Sequence, residues 1–83
     1  MKREMKYIVY DNGWSDIPII FPVVISHDQM AFNLPGASRD NIIAAGFCQI
    51  IDGEICCYGE STTLKKQSRP EDSQIINQML KDV

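Results

Sequence analysis

Residues 41–61 read NIIAAGFCQIIDGEICCYGES, and the fold turns on how they pair. Asp52-Gly53 lies between two runs rich in β-branched and apolar residues, a strong short-range hairpin signal. A two-residue turn there pairs Ile51 with Glu54 and sets every pair outward from it. One face then holds Ile50/Ile55, Cys48/Cys57, Gly46/Gly59 and Ala44/Ser61; the other holds Ile51/Glu54, Gln49/Cys56, Phe47/Tyr58 and Ala45/Glu60. The first face is small and apolar and should meet a helix layer. The second is mixed and should face solvent or a partner, with Phe47 and Tyr58 as an exposed cross-strand aromatic pair.

Towards the N-terminus, KYIVYDNGWSDIPIIF carries two β-prone runs around Asn12-Gly13. A two-residue turn would set Ile8 opposite Ile17 and Tyr10 opposite Ser15. Pro18 and Pro22 confine the second run to a sheet edge or a bulge. ISHDQMAFNLPG then reads as a short helix, with Ser26 and Gln29 as a capping box, Ile25 and Met30 as a hydrophobic staple, and Pro35-Gly36 as its end. Towards the C-terminus, SRPEDSQIINQMLKDV reads as a helix over 70–81. Ser68 and Glu71 form a second capping box, and Ile75, Ile76, Met79, Leu80 and Val83 form one apolar stripe. The expected fold is α+β, a single domain over 1–83 in the order β-β-α-β-β-α. Two hairpins form a four-stranded antiparallel sheet, and both helices lie on one face.

The 83 residues carry a net charge of −3, the wrong sign for a general nucleic-acid binder. The longest apolar run, Ile17 to Ile25, is too short to cross a bilayer and contains two prolines, and the N-terminus lacks the pattern of a secretory leader. A cytosolic protein without membrane association is expected. Three clustered cysteines, Cys48, Cys56 and Cys57, read as reduced thiols rather than a disulfide framework.

Candidate sites are few. Lys65, Lys66 and Arg69, with Lys2, Arg3 and Lys6, could make a basic patch, but no aromatic residues interleave to stack bases. Cys48, Cys57 and His27 lack the spacing of a structural zinc site. Most carboxylates are explained as turn or helix-start residues, Glu60 least well, and no catalytic motif is present. No catalytic residue, cofactor or metal is expected. Tyr7, Tyr10, Trp14, Phe47 and Tyr58 are more rings than one buried face can hold, and exposed Tyr and Trp often anchor protein interfaces. The surface singled out for protein binding is Phe47 and Tyr58, rimmed by Glu54 and Glu60.

The run from Tyr58, Gly59, Glu60 and Ser61 through Leu64 to Ser68, Arg69, Pro70, Glu71 and Asp72 resembles a group of small bacteriophage and prophage proteins. YIVYDNG, PIIFP and SHDQMA resemble the same group, so the likeness spans most of the chain. It implies a small phage protein in the bacterial host cytoplasm, and no catalytic role. By analogy with other such proteins it binds, and so inhibits, a host protein such as a defence or CRISPR component. The alternative is a nucleic-acid-associated protein using Lys65, Lys66 and Arg69, followed by a homo-oligomeric structural protein.

Overall fold

A computed structural model of the chain describes residues 4–34, 36 and 40–81. The elements are β1 (Glu4–Asp11), β2 (Asp16–Pro22), α1 (His27–Asn33), β3 (Ile42–Ile51), β4 (Glu54–Tyr58), β5 (Glu60–Ser61), β6 (Lys66–Gln67) and α2 (Asp72–Lys81). The main sheet is four-stranded and antiparallel, in the order β2-β1-β3-β4. The α+β class with two helices is as expected. The expected element order lacks β5 and β6, which pair with each other in a separate two-stranded ladder before α2. Expectations touching Lys2, Arg3, Pro35 and Val83 lie outside the described residues.

The β3–β4 hairpin follows the register read from its turn. Asp52 and Gly53 both have positive φ, 51° and 82°, and Ile51↔Glu54 through Phe47↔Tyr58 pair in order. The ladder stops there. Gly59 turns out of the strand at φ 77°, so Ser61 pairs with Lys66 instead of Ala44. The first hairpin differs from expectation: Ile8 pairs with Ile19 and Tyr10 with Ile17, leaving four residues in the connection. Side chains decide this. Asn12 Oδ1 accepts the N–H groups of Trp14 and Ser15, both at 2.9 Å, and Asp11 Oδ1 accepts that of Gly13 at 2.8 Å. Such Asx contacts hold a longer loop than a two-residue turn allows. Pro18 and Pro22 do lie on an edge strand.

The two helices pack on opposite faces, which corrects the expected one-sided arrangement. Tyr7, Ile8 and Val9 of β1 are all fully buried, and successive residues on a strand point to opposite sides. Tyr7 and Val9 pack with Ala44, Cys48, Ile55 and Ile76 of α2. Ile8 packs with Phe21, Ile42, Ala45, Ala31 of α1 and Leu64 of the β5–β6 connection. A central strand that is apolar on both sides needs a cover on each. The small face of the β3–β4 hairpin does meet a helix, α2. Leu64, 7% exposed, is the apolar anchor of its loop, as its isolation among polar neighbours suggests.

The helix starts are side-chain devices. Ser26 and Gln29 form the expected capping box on α1. On α2 the device is displaced by one residue. The Asp72 carboxylate, not that of Glu71, reaches back three residues to accept a backbone N–H, that of Arg69 at 2.8 Å, and Pro70 follows where its missing N–H is tolerated. Ser68 instead donates its backbone N–H to the Gly59 carbonyl at 2.9 Å. Further along, Ser73 Oγ accepts the Cys57 N–H at 2.9 Å, while Asn77 accepts the Ile55 N–H and donates to the Ile55 carbonyl, both at 3.0 Å. One side of α2 thereby closes the open edge of β4.

Where the chain leaves β4 it passes close over β3. A Cβ at Gly46 would lie 2.6 Å from the Tyr58 carbonyl oxygen and 3.3 Å from Gly59 backbone atoms. These are backbone atoms fixed by the ladder, so a methyl there must push the strands apart. Gly46→Ala should cost about 1–3 kcal/mol of stability, the usual range for overpacking. A urea titration checks this; an unchanged midpoint would show that the approach at Gly46 is not tight.

Candidate functional site

Phe47 and Tyr58 do form a pair. Their rings stack at 6.1 Å between centroids, with planes 26° apart. Both are half-buried rather than open to solvent, because His27 at the start of α1 covers this side of the sheet. The His27 ring meets Phe47 edge-on at 5.7 Å and Phe21 at 5.5 Å. Its Nε2 lies 2.8 Å from the Gly46 carbonyl, which can only accept, so Nε2 carries the proton. Burial lowers the His27 pKa below the ordinary histidine value and Lys6 adds to this, against smaller raising contributions from the Gly46 and Tyr7 backbone and from Asp28. The Tyr58 hydroxyl donates to the Glu4 carboxylate. Glu54 and Glu60 are both exposed, at the start of β4 and in β5. The four residues thus flank one strand, with the aromatic pair sheltered and the carboxylates in water.

The opposite face holds a buried polar network. Tyr7 O–H donates to Asp72 Oδ2 at 2.5 Å, and both residues are fully buried. Arg69 Nε donates to Asp72 Oδ1 at 2.9 Å, and its Nη2 lies 2.8 Å from the same oxygen. Arg69 also approaches Asp16 at 3.7 Å and Glu71 at 3.9 Å. Burial, then the Asp72 carboxylate, push the Tyr7 hydroxyl well above its ordinary pKa. Cys48 and Cys57 are paired on this face beneath α2. Burial pushes the Cys48 thiol up to about 11 and raises that of Cys57 as well, so neither is an activated nucleophile. All three cysteines are free.

The other sequence-derived groupings are not assembled. Arg69 is engaged by carboxylates, while Lys65 is exposed in the β5–β6 connection and Lys66 is half-buried in β6. His27 lies on the α1 face and Cys48 and Cys57 on the α2 face, so they share no metal. Among the described residues no three His, Cys, Asp or Glu side chains gather to hold a metal ion. No described helix is long and apolar enough to cross a membrane.

Three side chains outside the proposed sheet surface stand out. Trp14 is 93% exposed, Phe32 90% and Val24 87%. Trp14 was one of the rings in excess of the buried face. Phe32 carried a weaker signal: it follows Ala31, and the buried His27 and Ala31 are spaced i, i+4 on the inner side of α1. No family model matches the chain, and no curated protein or solved structure matches it.

Two measurements test the roles assigned to these buried groups. Asp72→Ala would leave the Arg69 charge and the Tyr7 hydroxyl without their acceptor and should cost about 3–5 kcal/mol. Tyr7→Phe removes one hydrogen bond and should cost about 1 kcal/mol. Equal losses in denaturant titrations would mean that the carboxylate is not the centre of the network. For His27 the sign follows from its lowered pKa. Its contribution is present above the unfolded value of about 6.5 and is lost as pH falls below it, where only the unfolded chain takes up the proton. Stability should therefore decline as pH falls below about 6.5, and His27→Gln should flatten that decline.

Proposed function

We propose that this is a non-enzymatic accessory protein of bacteriophage or prophage origin, acting in the host cytoplasm, which binds and thereby inhibits a host bacterial protein such as a defence or CRISPR component. The observation that carries the reading is the exposure of Trp14, Phe32 and Val24. Large apolar side chains held in water are the usual anchors of protein interfaces, tryptophan foremost. The polar groups that could do chemistry, Tyr7, Asp72, Arg69 and His27, are engaged with one another or with backbone. The half-buried Phe47–Tyr58 stack with the exposed Glu54 and Glu60 remains a contact surface of the same function. The resemblance of the Tyr58–Asp72 run to phage proteins supplies the host context.

Trp14→Ala and Phe32→Ala remove exposed side chains and should change stability by no more than about 0.5 kcal/mol. The immobilised protein should retain one host protein from a bacterial lysate in stoichiometric amount. At least one of Trp14→Ala, Phe32→Ala and Tyr58→Ala should weaken that capture by about 2 kcal/mol or more. Failure to retain any stoichiometric protein would count against the reading. Light scattering separates it from self-association through the same rings.

A further inference from the structure

Between β2 and α2, on the face away from α1, lies a groove of about 580 Å³. Pro18 and Asp16 line it from the strand, and Ile75, Gln78 and Met79 from the helix. Its volume is in the range of sites that take a ligand or a partner's side chains. We infer that this groove receives a basic amphipathic segment of a partner protein, with its apolar side chains in the groove and its Lys or Arg side chains against the acidic mouth.

The charge at that mouth selects the occupant. Asp11 pairs directly with Asp16 across β1 and β2, and both are exposed. Like charges in opposed positions destabilise a strand pair, and Arg69, 3.7 Å from Asp16 but in close contact with Asp72, offsets only part of that repulsion. Glu71 is also exposed nearby, at 3.9 Å from Arg69. Among the described residues Arg69 is the guanidinium serving this corner, and its close contact is with the buried Asp72; it stands 3.7 Å from Asp16. Four carboxylates against one guanidinium leave the corner strongly negative. Nucleic acid and anionic lipid are repelled by it, and a neutral apolar segment would leave its excess negative charge unmatched. A segment carrying both apolar and cationic side chains satisfies both halves of the surface.

Trp14 adjoins the groove in sequence. It precedes Ser15, a lining residue of the groove, on a loop held by the Asn12 and Asp11 side chains. An indole at 93% exposure offers its face to Lys or Arg, and the ordered loop keeps down the entropy lost on binding.

The inference rests on the protein-binding reading, yet the two fail separately. A short amphipathic peptide of leucine and lysine is titrated into the full chain, with a leucine–glutamate peptide as control. Trp14 is the only tryptophan, so its emission reports the binding loop directly. The lysine peptide should bind, shift that emission to the blue and weaken as salt is raised; the glutamate peptide should do neither. Asp11→Asn with Asp16→Asn, and separately Gln78→Lys, should each weaken binding by about tenfold or more. Asp28→Asn with Asp52→Asn, both exposed and remote from the groove, should leave it unchanged. Equal losses from the remote pair, an unmoved Trp14 emission or absence of lysine-peptide binding would each overturn the assignment. Capture of a host protein that survives the groove variants would preserve the protein-binding function and remove the groove from it.

Discussion

A single carboxylate buried at the start of a helix governs the α2 half of the molecule. Asp72 is fully buried, and a carboxylate in that position must be hydrogen-bonded or it opposes folding. Its acceptor sites are met by the Tyr7 hydroxyl from the central strand, the Arg69 backbone N–H at the helix start and the Arg69 guanidinium. These contacts tie the first turn of α2 to the middle of β1. Helix periodicity then assigns the remaining sides. Ile76, four residues on, enters the core; Ser73 and Asn77 reach the β4 edge; Ile75 and Met79 turn towards β2 and form one wall of the groove. The edge closure and the groove are thus two consequences of one anchoring contact.

The other half is organised by histidine rather than carboxylate. His27 opens a helix of only two turns, whose propensity alone would not hold it in place. Its ring fills the space between Phe21 and Phe47 and donates to the Gly46 carbonyl, while Lys6 donates to the Ile25 carbonyl at 3.1 Å just before the helix. A neutral imidazole here serves as a hydrogen-bonding aromatic. The ordinary objection to a charged histidine at a helix N-terminus does not arise, because burial keeps it neutral.

What the sequence disclosed followed the range of its signals. Asp52-Gly53 fixes its own hairpin because both turn residues accept positive φ, and the effect extends as far as Phe47↔Tyr58. Asn12-Gly13 carried a similar signal and misled, since the Asn12 side chain can hold a four-residue loop as readily as a two-residue one. Ser26 and Gln29 act within one turn and were legible; Asp72 also acts through Tyr7, sixty-five residues away, and was not. The placement of the helices on opposite faces was hidden for a related reason. YIVY is apolar at every position, and only its pairing on both sides reveals a central strand that needs two covers. Of the candidate site, the Phe47–Tyr58 stack was readable from alternation, but its shelter by His27 depends on a tertiary contact.

The closure of both sheet edges constrains how any partner can be bound. On β2, Pro18 and Pro22 offer no N–H to an incoming strand. On β4, the Cys57 N–H and both backbone groups of Ile55 are already hydrogen-bonded to Ser73 and Asn77. Strand addition would need an uninterrupted ladder of free donors and acceptors, and neither edge supplies one. Any partner recognised by the main sheet would therefore be met through side chains, and it would have to bring its own secondary structure to satisfy its backbone. A helix does this internally, and its apolar stripe matches a groove with one strand wall and one helix wall. The acidic mouth would then discriminate among helices by sign of charge, which governs encounter rate and selectivity more than final affinity.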